Sequence, residues 1–497
     1  MTVSDLKPLF EPKGIAIIGA SRDPEKPGHV ILKIMLENRR RGLLKAQVYP
    51  VNPFAEAIMG VKCYPSVRDI PGNVDLAVIV VPARLVPRVV EDCGVKGVKV
   101  AVVISAGFSE VGETELEREL VETAKRHSVR IVGPNCIGVL CPWTGVDTIF
   151  LPVEKTLRDG RRVVSTPRPK PGYVTLLSQS GAFGTAAIDY MSGEGIGLNA
   201  FVSYGNKADI DETDLLEYFA EDPRTRVILM YVESLDRGRK VVEAARRVTL
   251  RKPVVALKAG RTKAGARAAA SHTAALAGTD EIYQAAFRRA GIIRAYDVEE
   301  LFDMAKALAM QPPARGGRVA IVTDGGGAGV MATDECEMLG MSVPELRGET
   351  RAKLEQLKQE GVIPPFASVT NPVDLTGSVT PEMYLKTVEI LLESNEVDMI
   401  IVLALHQVPG IEDPVELARQ LADLVRAKGY VKPVLAVDTG WSEAALLTRE
   451  TFDEMLIPSY PIPERAARAA RALFEYGRVL EGRGALESYL KNWRPAL

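Results

Sequence analysis

The strongest constraint on this chain is the recurrence of short apolar runs that stop at glycine, proline or asparagine. In the first 140 residues they read GIAIIGAS, AQVYPVNP, DLAVIVVPA, VKVAVVISAG and VRIVGPN. Polar stretches separate them, and ETELERELVETAKRHS (113–128) carries a helical period rather than the alternation of a strand. Apolar strands that alternate with amphipathic helices fold into right-handed βαβ units around a parallel sheet, because parallel neighbours need a crossover. Residues 1–140 are therefore expected to form a Rossmann-like α/β domain.

The same rhythm restarts twice. STPRPKPG (165–172) holds three prolines in eight residues, which neither a helix nor a central strand accommodates, so 141–172 reads as a linker. A second block over 173–310 follows, with YVTLLSQSG, LNAFVSYGN, RVILMYVESL, KPVVALKAG and GIIRAY as its strands. QPPARGG (311–317) marks the second joint, and 316–497 forms a third block with RVAIVTDGGGAGVMA, VDMIIVLAL and KPVLAVDTG. Three blocks agree with 497 residues at about 150 per domain.

Composition narrows the class. Net charge is −2, so there is no basic surplus to draw nucleic acid or an anionic membrane surface. No apolar run is long enough to span a bilayer, and the first residues, MTVSDLKPLFEPKG, lack the apolar core of a signal peptide. The five cysteines fall at 63, 93, 136, 141 and 336 with neither CxxC nor zinc spacing, as expected of reduced thiols in the cytoplasm.

Three strand-to-helix turns are rich in small residues. Such turns leave backbone N–H groups free at a helix N-terminus, where the dipole also favours an anion. Gly19-Ala20-Ser21, with Gly28 nearby, is the first. It lacks a full GxGxxG, and Asn52 stands where a dinucleotide site would carry an acid for the ribose. Ser178-Gln179-Ser180-Gly181 is the second, open either to a phosphate or to simple capping by Ser180. Gly325-Gly326-Gly327-Ala328-Gly329 is the third; no lysine follows, so it is not a Walker A loop.

One of only four histidines, His272, lies in GARAAASHTAALAG, a stretch with no large apolar side chain between Leu257 and Leu276. The small side chains suggest an exposed loop at the C-terminal edge of the second sheet, where ligands of open α/β sheets bind. Imidazole is a competent nucleophile near neutral pH, and its phosphoryl adduct is labile enough to pass the group on. No metal-ligand spacing surrounds it, and SQSGAFG does not supply the GxSxG elbow of a serine hydrolase. An ordinary surface histidine is the remaining alternative. Glu233 ends the strand RVILMYVESL of the same block and is placed to orient an imidazole; an unengaged strand-end acid fits its position equally well.

Taken together, IIGASRDPEKPG, VYPVNP, SAGFSEVG, GPNCIG, SQSGAFG, SYGNKADID, YVESL, ASHTAALAG, TDGGGAGV and NPVDLTG occur in the order of one family. Along its whole length the chain resembles the α subunit of the NDP-forming acyl-CoA synthetases, the relatives of succinyl-CoA synthetase, and within them the ADP-forming acetate–CoA ligases. The resemblance implies a Rossmann-like CoA-binding domain followed by two flavodoxin-like domains. It implies CoA contacts from Gly19, Ala20, Ser21, Gly28, Asn52, Pro53, Val81, Pro82, Ser105, Ala106 and Gly107. Asn135 and Cys136 would lie near the thiol of CoA, with Cys136 not itself an acyl carrier. His272 would be transiently phosphorylated, Glu233 would orient it, and the turns at 178–181 and 325–329 would face one another across the phosphate.

Two departures accompany the resemblance. Asp324 precedes the third turn where the family often has asparagine, and 150–172 is longer than the usual link. No ATP-grasp domain follows the third block, so the resemblance implies that Mg-ADP or Mg-ATP binds a separate β subunit in an α2β2 complex. The acid, and ADP against GDP, are not readable from sequence. The rival expectation is a non-catalytic CoA-binding regulatory or scaffold protein, which would bind CoA without forming phosphohistidine.

Overall fold

The computed structural model describes residues 6–273 and 279–495, leaving out the side chains of 269–273. The first sheet consists of β1 (Gly14–Ile18), β2 (Gln47–Val51), β3 (Leu76–Ile79), β4 (Val100–Val103) and β5 (Arg130–Val132), all parallel, in the order β2-β1-β3-β4-β5. Helix α1 (Pro27–Arg40) follows β1. Every residue of β1, β3 and β4 is buried, which is why these strands read as unbroken apolar runs: helices cover both faces of a parallel sheet. The order reverses between β1 and β3, which places the turn at Gly19 beside the crevice where ligands bind such sheets.

The second sheet holds β6 (Val139–Cys141), β7 (Val146–Asp147), β8 (Pro171–Ser178), β9 (Leu198–Ser203), β10 (Val227–Val232), β11 (Val254–Lys258) and β12 (Ile293–Ala295), in the order β12-β11-β10-β8-β9-β6-β7. β8 runs parallel to β9 and β10, while β6 adds antiparallel to β9 and β7 to β6. The expected linker over 141–172 needs correction. Its first residues are sheet, with Val146 and Asp147 buried and Asp147 paired to Arg168 at 2.7 Å. Residues 154–156 and 162–164 form an antiparallel hairpin. The proline string does not stop at a break: Pro171 opens β8, a position that tolerates a missing N–H.

This continuation joins the first two blocks. The chain forms two compact units, Met1–Val248 with Ala256–Arg294, and Thr249–Val255 with Ala295–Leu497. In the first unit α2 (Gly181–Gly193) follows β8 and α3 (Lys263–Thr273) follows β11. The expectation that His272 sits on a loop is also corrected, since its backbone belongs to α3. The stretch reads as loop because it lacks bulk, yet most of that lack is alanine, the strongest helix former.

The second unit is built on β13 (Val319–Thr323), β14 (Ser368–Val369), β15 (Val373–Asp374), β16 (Met399–Leu403), β17 (Val434–Val437) and β18 (Ser459–Tyr460), in the order β14-β15-β13-β16-β17-β18. Its helices include α4 (Val298–Met310), α5 (Gly326–Met338), α6 (Glu443–Glu454) and α7 (Pro463–Glu481). α4 belongs here rather than with the second sheet. Its Asp303 pairs with Arg465 of α7 at 2.7 Å, and its Lys306 with Asp453 at 2.5 Å. Among the described residues no helix is long and apolar enough to cross a membrane.

Candidate active site

The first turn is shaped by close backbone approach. Gly19 has φ +96°, and a Cβ there would lie 2.6 Å from the Val80 carbonyl oxygen. A Cβ on Gly28, in the first turn of α1, would lie 2.1 Å from the Gly19 carbonyl oxygen, so only glycine lets the helix start on the turn. Ala20 is fully buried, and Ser21 caps the following bend by accepting from the Asp23 N–H at 3.0 Å. Asn52 donates to the Ala20 carbonyl at 2.7 Å and accepts from the Phe54 N–H at 2.8 Å, tying the end of β2 to the turn and leaving Pro53 exposed beside it. Its amide does a job that a carboxylate, which cannot donate, could not do.

A cavity of about 990 Å³ opens within the first unit. Val81, Ser105, Ala106, Asn135 and Cys136 line it from the first sheet, and Gln179, Ser180, Gly181 and Glu233 from the second. These nine expected residues are brought together. Gly19, Ala20, Ser21, Gly28, Asn52, Pro53, Pro82, Gly107 and Ser178 are not on its wall. Ser105 donates its hydroxyl to the Val81 carbonyl at 2.5 Å and its carbonyl accepts from the Asn135 N–H at 3.0 Å, which fixes the strand ends to each other. Asn135 takes φ +56°. Cys136 is buried with its thiol directed at the Val103 carbonyl, and burial pushes that thiol up to about 12. It stays protonated and is a poor nucleophile at neutral pH.

The second turn is closed by its own hydrogen bonds. Ser178 donates to the Ser180 carbonyl at 2.7 Å, and Ser180 accepts from the Phe183 N–H as the cap of α2. Both hydroxyls are thus engaged locally, Ser180 also satisfying the Phe183 N–H, and the groups left to meet an anion are the amides of Gly181 and Ala182, which have no intrahelical acceptor. Gln179 is buried; its oxygen accepts from the N–H of Glu233 at 2.6 Å and of Ser234 at 3.0 Å, and its amide donates to the Ser234 hydroxyl at 3.1 Å. That side chain bolts the end of β10 to the turn and so sets where Glu233 stands. The Glu233 carboxylate hydrogen-bonds Tyr231, whose hydroxyl burial and this acid push up to about 12.

Lys207 and Asn206 are among the wall residues that sequence reasoning missed. Lys207 has a buried side chain that pairs with Glu212 at 2.8 Å while donating to the Ser234 carbonyl at 2.8 Å. Asn206 donates to Glu110 at 2.6 Å and to Glu117 at 2.9 Å. Burial raises the Glu110 carboxyl, but bonds from the Gly107 N–H, Asn206 and the Phe108 N–H outweigh it and hold the group below its ordinary value. The available signal was position: both residues come just after β9, on the same strand edge as the turns.

In the second unit, Gly325 caps α5 and exchanges hydrogen bonds with Thr323, 3.0 Å from its N–H and 2.9 Å to its carbonyl. A Cβ on Gly326 would lie 2.8 Å from Asp374 and one on Gly329 3.0 Å from Thr323, while Gly327 faces open space and Ala328 continues the helix. Asp324 is buried and accepts from the Leu405 N–H at 3.0 Å, turned toward the neighbouring strand end. Burial pushes its carboxyl up to about 6. The His272 side chain lies outside the described residues.

The chain matches three protein families: CoA binding domain over residues 13–142, succinyl-CoA ligase like flavodoxin domain over 171–308, and Ligase-CoA domain over 319–478. It is 42% identical over 483 residues to the acetate–CoA ligase [ADP-forming] I subunit alpha of Pyrococcus furiosus, covering 95% of this chain and 98% of that one. It is 35% identical over 475 residues to the 4-hydroxybutyrate–CoA ligase [ADP-forming] of Nitrosopumilus maritimus, covering 94% of this chain and 64% of that protein. Among solved structures it resembles the dinucleotide forming acetyl-coenzyme A synthetase 1 of Ca. Korarchaeum cryptofilum, in complex with phosphate and ADP, at a TM-score of 0.85 and 40% identity over 97% of this chain and 98% of that one.

Proposed function

The chain belongs to the alpha subunits of the ADP-forming acetate–CoA ligases, within the succinyl-CoA-ligase-like acyl-CoA synthetases, and from that premise we propose how its residues carry the reaction. Such a ligase interconverts acyl-CoA, ADP and phosphate with carboxylic acid, CoA and ATP. A phosphate oxygen attacks the thioester carbonyl beside Asn135 and Cys136, the C–S bond breaks, and CoA leaves as its thiol. The acyl phosphate stays against the N-terminus of α2, at 178–181, and the turn at 325–329 of the second unit is a further phosphate-binding element of the reaction. His272, held as the right tautomer by Glu233, then attacks phosphorus and releases the carboxylate. The phosphohistidine hands its group to ADP, bound with Mg²⁺ on an ATP-grasp partner subunit in an α2β2 assembly. CoA is held by the turns at 19–21, 52–53, 81–82 and 105–107 with Gly28. Positioning and backbone amides supply most of the phosphoryl-transfer catalysis.

The observation that carries this reading is one cavity whose wall joins Asn135 and Cys136 to Gln179–Gly181 and Glu233. It gives a thioester, a phosphate and the orienting carboxylate one shared space. A buried, protonated Cys136 fits a bystander role there. The naming of relatives as subunit alpha supports a partner subunit. The test uses the chain alone. Incubated with acetyl-CoA and labelled phosphate, it should acquire acid-labile, base-stable phosphate on His272. Labelling of His272→Ala to the parent's level would sink the assignment. CoA binding without any phosphohistidine would favour the scaffold alternative.

A further inference from the structure

Three side chains of the second unit form a line that the ligase reading does not use. Asp438 follows β17 and is fully buried, His406 follows β16, and Ser442 is the exposed cap of α6. His406 Nδ1 lies 2.7 Å from Asp438 Oδ1, and Ser442 Oγ lies 2.7 Å from His406 Nε2. An ionised carboxylate only accepts, so the proton on that side belongs to Nδ1, which leaves Nε2 as the acceptor for the Ser442 hydroxyl. The His406 backbone N–H also donates to Asp438 Oδ1, at 3.3 Å, so ring and main chain are tied to one oxygen.

The surroundings hold this line in place. Arg449 is buried and donates to the carbonyls of Asp438 at 2.6 Å and Gly440 at 2.8 Å, which pins the loop between base-orienting acid and serine. Gly440 has φ +106°, and even a Cβ there would stay 3.9 Å from His406 Cε1, so the loop leaves the ring unobstructed on that side. The sequence 440–444 reads GWSEA: Ser442 follows a glycine turn in unstrained extended backbone, φ −66° and ψ 159°, and opens α6 with its Oγ accepting from the Ala445 N–H at 3.2 Å. Helix geometry leaves the amides of Glu443 and Ala444 without intrahelical acceptors beside Ser442 Oγ, where they can receive an oxyanion. Burial raises the Asp438 carboxyl and the bonds from His406 oppose that rise.

We propose that Ser442, His406 and Asp438 form a nucleophile, base and orienting acid that hydrolyse activated acyl compounds of the ester and thioester class. Ser442 Oγ bonds to the acyl carbon as its proton passes to His406 Nε2. The bond to the leaving thiol or alcohol breaks and His406 returns the proton to it. Water then attacks the acyl-serine, His406 takes its proton, the ester bond breaks and Ser442 recovers the proton. The net change is acyl compound plus water to carboxylic acid plus thiol or alcohol. Asp438 keeps the ring's tautomer throughout.

Diisopropyl fluorophosphate tests this on the full-length chain. A Ser442 Oγ–P bond should form with loss of fluoride, located by peptide mass spectrometry, at a rate at least about a hundredfold above that of His406→Gln. Hydrolysis of p-nitrophenyl acetate should accompany it and vanish in Ser442→Ala, a variant that also loses the α6 cap and is compared once circular dichroism shows it folded. A folded parent whose Ser442 stays unmodified overturns the proposal, as does an adduct forming equally fast in His406→Gln. Neither readout depends on His272, so failure here leaves the ligase reading standing and the reverse also holds.

Discussion

Glu233 and Asp324 are both strand-end carboxylates, yet their settings ask opposite things of them. Glu233 faces the cavity, and Gln179 holds its backbone by two hydrogen bonds of 2.6 and 3.0 Å through the Glu233 and Ser234 N–H groups. Glu233→Gln keeps size and position but removes the charge that stabilises an imidazolium, so phosphohistidine formation should fall on the order of ten- to a hundredfold. CoA affinity should be unchanged; an unaltered labelling rate would remove Glu233 from the mechanism. Asp324 instead faces the protein, and burial lifts its carboxyl from 3.8 to about 6. Between those values the folded chain binds more protons than the unfolded one, so stability falls as pH rises through the window and stays lower above it. Asp324→Asn can still accept from the Leu405 N–H without that penalty. It should raise the melting temperature at pH 8, by an equivalent of roughly 1–3 kcal/mol, with the gain gone below about pH 4. A gain independent of pH would refute the burial argument. The place of Glu233 at a strand end was legible, though not its role; the contacts of Asn52, Gln179 and Lys207 were not, since each acts through a main-chain group that only the fold brings near.

At the scale of elements, glycine decides how closely α1 meets the first turn. The 2.1 Å clearance at Gly28 is against backbone, which cannot rotate away. Gly28→Ala should cost about 1–3 kcal/mol and weaken CoA binding together, because the helix start must lift from the turn. Gly238→Ala, with open space at its Cβ, is the control and should change neither. Calorimetry on both variants separates the cases, and a neutral Gly28→Ala would mean the turn yields. Elements were legible wherever burial on both faces wrote an apolar run, as in β1 and β8. They failed where local chemistry misled. Alanine in ARAAAS looks like missing core although it favours helix, so α3 passed for loop. Three prolines looked like a break although one of them starts a strand. β6 and β7, of three and two residues, are too short to carry a period at all.

The molecule as a whole divides its chemistry unevenly. One compact unit contains the walls of the cavity and the backbone of His272, while the other carries the turn at 325–329 on a sheet of its own. Lys plus Arg number 62 against 64 for Asp plus Glu, so the chain as a whole has almost no net charge with which to attract an anionic nucleotide, and nucleotide capture must rest on a built site. If that site is on a partner subunit, the reaction of the chain alone must halt at a defined point. Acetyl-CoA and phosphate should load at most one phosphoryl group per chain, acetate should appear in step with it, and added ADP should draw off none of it. Supplying the nucleotide-binding partner should then discharge the label into ATP and allow repeated turnover. Quenched-flow measurement of protein-bound phosphate, acetate and ATP distinguishes these stages. Were the isolated chain to make ATP from ADP at a rate near that of the reconstituted pair, the division of labour argued from its sequence and its cavity would be wrong, and the nucleotide would have to be sought on one of its own two units.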